Sequence, residues 1–386
     1  MRPARGAAFI LALAATSASA ASPVAVSGYV KDLWSYSRSA VDRRPYFLNT
    51  ARQRLSLDGA YSILRAHADY DHEELAGSFF RTQEHRLSSL AGPGGYLQAE
   101  EDLGTTETFV WRHRLYRWWA GIETDAALMR FGRQRVAWGT GKLFNPTDVL
   151  NLYDPLSVEK DERPGVDALY ARQSLGELSQ VEAAWAVEEE WGRQALLARV
   201  KSNWRSWDVS LMGGKTPWST SGWIVGGDLA GDAAGGTLRG EWACSDPGDG
   251  GPYCKLTAGY DYSFASDARW PGFKDLSVMV EYHHNGAGTA DSRSYDHLKV
   301  LSGREVFLAK DYVGAGLAKD LHPLVKLDLS IIANLDDLSV FTGPSLTWDV
   351  GRNLFLTAGF QRFSGSRLTE FGRPADLGFL QVQFFF

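Results

Sequence analysis

The side chains best suited to chemistry in this sequence are charged, and they gather in two groups. One group is acidic: Asp148, Asp154, Glu159, Asp161 and Glu162 fall within 137–165, a long turn-rich stretch that also offers Lys142 and Asn145. The other is basic, with Arg52, Arg54, Arg65, Arg112, Arg114, Arg117, Arg130, Arg133 and Arg135 on the segments before it. Neither group has a spacing that suits covalent or acid–base catalysis. No G-x-S-x-G elbow or H-E-x-x-H occurs, and His283-His284 has no partner at a metal-ligand spacing. The chemistry left to such a set is electrostatic. Walls of opposite sign facing each other sort passing solutes by charge.

Cys244 and Cys254 are the only cysteines and form no C-x-x-C or C-x-x-C-H pattern. Thiol redox chemistry, a thiolate zinc site and covalently attached haem are therefore unsupported. In an oxidising compartment the pair is expected to form a disulfide that staples the acidic segment between them. That segment lacks the spacing of a calcium loop. A net charge of -6 argues against nucleic acid as a partner. No metal and no cofactor is expected, and the chain reads as a non-enzyme.

Export is written at the N-terminus. Met1-Arg2-Pro3-Ala4-Arg5 is a basic head, Ala7 to Ala15 a short apolar core, and Ala18-Ser19-Ala20 a small-x-small cleavage site. Residues 1–20 are read as a signal peptide and 21–386 as a single domain. No later segment reaches the length of an apolar spanning helix, and mean hydropathy is -0.24. Yet the chain is rich in aromatics and glycine, with Trp 14, Tyr 15, Phe 19 and Gly 40. Alternating faces of a membrane barrel average out in just this way.

Period-two alternation runs through the mature chain. Val181, Ala183, Trp185 and Val187 alternate with Glu182 and Glu188; Leu256, Ala258, Tyr260 and Tyr262 with Lys255, Thr257 and Asp261; Val278, Val280 and Tyr282 with Glu281 and His283. Strands are expected at 26–37, 50–61, 64–74, 111–123, 126–136, 166–174, 180–189, 194–202, 206–215, 221–230, 236–244, 254–264, 275–284, 308–318, 324–334, 339–349, 353–363 and 376–386. Many are about ten residues or longer, the length a tilted strand needs to cross a bilayer and more than soluble strands usually show. The fold class is all-β: a transmembrane up-and-down antiparallel β-barrel of about eighteen strands (16–18). Alternate connections are long (75–107, 137–165, 245–253, 285–307, 364–375) and the intervening ones mostly tight, with 265–274 the exception. Long outside and short inside is the asymmetry of such barrels.

The final strand, Leu380-Gln381-Val382-Gln383-Phe384-Phe385-Phe386, resembles the insertion signal of outer-membrane barrels. The 137–165 connection follows the fifth expected strand, where general porins carry a loop that folds inward and narrows the pore. Gly132 to Asn151 also resembles a stretch found in proteobacterial outer-membrane proteins. This likeness to Gram-negative porins implies an outer-membrane channel for passive diffusion of small hydrophilic solutes or ions. Lys142, Asn145, Asp148, Asp154, Glu159, Asp161 and Glu162 would then constrict it. Parity sends Arg52, Arg54 and Arg65 to the lumen as its basic lining, with Arg117 and Arg130, although the pattern breaks around Arg112 to Arg117. The same parity makes Glu182, Asp208, Asp261 and Glu281 the acidic lining. Charges on a lipid face cost up to ~2–4 kcal/mol each, so this many on one parity require a wet interior. The likeness further implies lipid and small solutes as partners and a homotrimer as one assembly. The alternative is a barrel that sheathes a periplasmic protein or an exported polymer; an outer-membrane enzyme ranks below both.

Overall fold

The computed structural model describes residues 23–386 apart from 89–96, 161, 164, 188–193, 217–220, 249–250, 298–299 and 301–304. The expected signal peptide and Asp161 lie outside the described residues. The first ten strands are β1 Val24–Arg38, β2 Pro45–Tyr61, β3 Leu64–Gly77, β4 Glu100–Thr106, β5 Phe109–Glu123, β6 Ala127–Gln134, β7 Val166–Ser174, β8 Gln180–Val187, β9 Gln194–Trp204 and β10 Trp207–Lys215. They continue as β11 Trp223–Ala233, β12 Gly236–Asp246, β13 Tyr253–Ser263, β14 Leu276–Asn285, β15 Asp311–His322, β16 Val325–Asn334, β17 Val340–Gly351, β18 Leu354–Ser364 and β19 Leu377–Phe385. With β4 set aside, each strand pairs antiparallel with the next, and β19 returns to β1 in the register Tyr29↔Phe385 to Tyr36↔Gly378. The result is a closed barrel of eighteen strands with no free edge, which removes the exposed ladder of an open sheet.

Alternation decides which way each side chain points. On β9, Ala195, Leu197 and Arg199 are buried while Leu196 and Val200 are exposed. On β14, Glu281, His283 and Asn285 are buried while Val280 and Tyr282 are exposed. Exposed apolar and buried charged residues invert a soluble protein's arrangement, as a barrel with an apolar outer belt and a polar interior demands. Tight turns close one end. At Arg205-Ser206, Ala234-Gly235 and Arg352-Asn353 both central residues have positive φ, which matches two-residue hairpin turns to the strand twist.

Two departures from regular alternation bear on the site. At β5 the register against β3 shifts between Asp69↔Arg117 and Tyr70↔Leu115, so Tyr116 is an extra residue in a bulge. Arg112 and Arg114 above it and Arg117 and Trp119 below it therefore all face inward. That explains why parity around Arg112 to Arg117 could not be read from the sequence. The second feature is β4, a strand inside the expected 75–107 connection. β6 pairs with β5 only from Trp118↔Arg133 to Glu123↔Leu128, because the chain then leaves the wall. β4 pairs with the vacated upper edge of β5, from Thr106↔Phe109 to Glu100↔Arg114. Arg133 and Asp167 secure the neighbouring Leu97: Arg133 Nη2 donates to the Leu97 carbonyl, and the Leu97 amide donates to Asp167 at 3.0 Å.

The expected disulfide joins Cys244 to Cys254. The two residues stand directly opposite each other in the β12–β13 hairpin, at its long-loop end.

Candidate functional site

Between β6 and β7 the chain runs along the inner wall. Its first part is apolar and meets a wall of small residues. Val136, Trp138 and Val149 pack against Ala168, Ala184, Ala186, Ala195, Leu197, Met212, Ile224 and Ala243, the inward residues of β7 to β12. Leu143 and Phe144 enter a second cluster with Tyr312, Ile332 and Phe341, and the Phe144 ring stacks on His283 at 4.9 Å. Alanine at so many inward positions leaves room for the segment, and its side chains fill that room.

Two wall carboxylates then fix the segment's backbone. Glu241 accepts the amides of Thr140 (2.9 Å), Gly141 (3.0 Å) and Thr147 (2.7 Å), together with the Thr147 hydroxyl (2.9 Å). Glu281 accepts those of Lys142 (2.6 Å), Leu143 (2.8 Å) and Phe144 (3.1 Å). A turn has many amides without ladder partners, and a buried carboxylate is an acceptor-only group with room for several of them. Gly139 and Gly141 are required by the close approach: a Cβ at Gly139 would sit 2.7 Å from the Glu241 carboxylate, and one at Gly141 would sit 1.9 Å from the Phe144 carbonyl oxygen.

The later part of the segment is acidic and meets the basic wall of β1 and β2. Glu159 contacts Lys31 Nζ at 2.5 Å and Arg52 Nη1 at 2.8 Å. Glu162 accepts from the Tyr29 hydroxyl (2.5 Å) and Arg54 Nη1 (2.8 Å) and lies 3.2 Å from Lys31 Nζ. From the far side, Asp71 pairs with Arg54 at 2.6 Å and Glu73 with Arg52 at 2.5 Å, while Arg114 reaches both acids. Burial alone would raise the Glu162 carboxyl, but Lys31, Arg54, Arg52 and the Tyr29 hydroxyl hold it down to about 2. Burial also works against ionised Glu159, and Arg52 and Lys31 again hold it below its ordinary value. Burial pushes the Asp148 carboxyl up to about 8, against the opposing pull of Arg163 at 3.2 Å and the Asn151 amide. Asp154, which accepts the Leu156 amide at 2.8 Å, is likewise raised by burial.

The expected charged residues thus separate. Arg52, Arg54, Glu159 and Glu162 form one ion-paired network, so the acidic segment touches the basic wall rather than facing it across a gap. Lys142 instead reaches Asp261, at 3.3 Å, which Arg239 also holds at 2.7 Å. Glu281 is sealed beneath the segment. Glu182 is buried on β8 beside Gln180, and Asn145 has a buried side-chain oxygen with no hydrogen-bond partner among the described residues. Arg117 donates to the Arg163 carbonyl at 2.5 Å, and Arg130 lies over the Trp119 ring at 4.0 Å. Arg65 sits at the short-turn end, bonded to the Ser62 and Leu64 carbonyls, and Asp208 lies near the same end with Asn203 and Lys201. Lys31, Tyr29, Asp71, Glu73 and Glu241 belong to the site too. Their inward parity was readable; the hold of Glu241 on backbone amides was not, because a backbone amide leaves no mark in the sequence.

Opposite the apolar wall a cavity of about 570 Å3 remains between the segment and the inner faces of β1 and β16 to β19. Its lining there mixes uncharged polar residues, among them Ser345, Thr347, Thr357, Gln361, Gln381 and Gln383, with aromatic ones and the charged Lys31 and Asp328.

No protein-family model matches the chain, and no curated protein matches it either. Its fold, however, is similar to solved structures from Pseudomonas aeruginosa. The outer membrane protein OpdK superposes with a TM-score of 0.58 at 8% identity, covering 94% of this chain and 98% of that one. OprD gives 0.55 at 9%, covering 94% and 93%, and OpdQ gives 0.57 at 10%, covering 95% and 99%. At such identities the likeness establishes the barrel architecture over almost the whole of both chains.

Proposed function

We propose that this chain is an outer-membrane channel for passive diffusion of small hydrophilic solutes or ions, with the 135–165 segment as its constriction. The observation that carries the reading is the polar cavity left beside a segment whose backbone is bonded to the wall at Glu241 and Glu281. A segment that only filled the barrel would not need to leave a hydrated face. OpdK and OprD, which have a similar fold, are outer membrane proteins, and this supports the same location. Planar-bilayer recording of the refolded protein tests it. Stepwise ohmic openings are expected, and deletion of 142–160 should enlarge them. A silent barrel that copurifies with a periplasmic protein would instead favour the sheath reading.

We further propose a homotrimer. On β1 to β5 the outward face carries Gln53, His72 and His113 side by side in register, with Asp32 and Asn49 hydrogen-bonded to each other beside them. Elsewhere the same level is apolar, as with Leu327, Leu329, Ile331 and Ala333 on β16. Polar groups are costly against lipid, so this face suits contact with a second copy.

A further inference from the structure

We infer that the cavity along β16 to β19 and β1 takes neutral polyhydroxylated solutes, sugars of one or two rings, in preference to charged solutes of equal size. The inference rests on the channel reading and names the solute class for it.

The case begins with what the cavity offers a solute. Its volume, about 570 Å3, falls within the range typical of small-molecule sites. Thr347 and Thr357 bond to each other at 3.1 Å, as do the Gln381 and Gln383 side chains. Gln361 gives its amide nitrogen to the Leu156 carbonyl at 2.6 Å, so its own carbonyl oxygen remains an acceptor. Hydroxyls and carboxamides both donate and accept. That combination matches a solute whose every hydroxyl does the same, and it satisfies a pure acceptor such as a carboxylate only in part.

Apolar ring faces complete the lining. Tyr29, Phe379 and Phe385 stand on the inward parity of β1 and β19, and Tyr153 faces them from the segment. The electron-rich face of an aromatic ring favours the C–H edges of a saturated ring laid against it.

Most charges at the cavity are ion-paired: Lys31 is held by Glu159 and Glu162, and Asp328 lies 3.1 Å from Lys326, while Lys160 donates to the Ser330 hydroxyl at 3.1 Å. An anion at Lys31 would have to displace a carboxylate, and a cation at Glu159 or Glu162 would have to displace an ammonium. A neutral polyol competes with neither.

Osmotic swelling of proteoliposomes provides the test, with glucose and sodium gluconate as probes and KCl conductance of the same protein as reference. Glucose is expected to enter several-fold faster than gluconate. The double variant Gln381→Leu, Gln383→Leu should slow glucose about three- to tenfold, the loss expected for one or two hydrogen bonds. A gel shift between heated and unheated samples reports that it folds, and KCl conductance that it still opens. Gluconate entering as fast as glucose, or glucose entry unchanged in a conducting double variant, would overturn the inference alone. Wild-type protein that passes no KCl would overturn the channel reading and this inference with it.

Discussion

At the residue scale, the inner segment is held by two unlike kinds of contact. Glu241 and Glu281 bind its backbone and are indifferent to side chains, whereas Glu159 and Glu162 bind the wall through their own charges. Hydrogen bonds to charged acceptors are worth about 1.5–3 kcal/mol each, and both kinds of contact make several. Asp148 lies between the two and is sensitive to pH. Its folded value, about 8, stands above the ordinary carboxylate value, so the folded state keeps a proton that the unfolded state has lost. Folding stability from this group therefore falls as pH rises from the ordinary carboxylate range to about 8, and levels off above it. Glu162 works the other way. Held near 2, it contributes fully above the ordinary carboxylate range and loses its contribution only as pH falls toward 2. In Asp148→Asn the high-pH decline should become shallower while the acid limb stays. Chemical denaturation at pH 5, 7 and 9 would measure it, and a variant whose loss of stability between pH 5 and 9 equals that of the wild type would place the titration elsewhere.

At the element scale, β5 shows where sequence reading works and where it stops. The apolar alternation that places eighteen strands within a few residues of their ends has a single physical origin, lipid on one face and water on the other. β4 escaped because Glu100 to Thr106 has no alternation; it exists only as a partner for the edge that β6 leaves. The charge match between the acidic segment and Arg52 and Arg54 was legible, since it depends on side chains. The carboxylate hold on backbone amides was not. Tyr116 is the test of the β5 account. As the bulge residue it keeps Arg112 and Arg114 on the same face as Arg117 and Trp119, and its ring receives the Arg54 guanidinium at 3.9 Å. Its buried hydroxyl has no hydrogen-bond partner among the described residues. Tyr116→Phe should therefore fold with unchanged or slightly higher stability. Deleting Tyr116 forces one half of β5 onto the wrong face, sending either two arginines or Arg117 into lipid at a cost of up to ~2–4 kcal/mol for each arginine. Refolding into detergent micelles, followed by the gel shift between heated and unheated samples, should give a folded band for the first and none for the second. A deletion that folds normally would mean that the strand simply slides and the bulge has no role.

At the scale of the whole molecule, closure and assembly place different demands on the same region. β1 meets β19 where Gly28 and Phe386 exchange amide and carbonyl at 3.0 Å each, and a Cβ on Gly28 would lie 2.2 Å from the Arg54 carbonyl. The seam is thus made tight by the absence of a side chain, directly below the outward polar face of β1 to β5. That face is internally bonded: Asn49 donates to Asp32, His72 meets His113 at 3.1 Å, and the Trp111 indole donates to His72 at 3.2 Å. Internal bonding lowers the cost of the patch without abolishing it, because Gln53 remains exposed and Asp32 carries a carboxyl group. A second protomer would exclude lipid from these groups. Multi-angle light scattering in a mild detergent should then give three protomers per particle for the wild type. His72→Trp, which enlarges the centre of the patch, should shift the particle toward one protomer, whereas Leu329→Trp on the apolar face of β16 should leave three. If the wild type is a single protomer at micromolar concentration, the polar face is an adaptation to lipid headgroups and the trimer proposal falls.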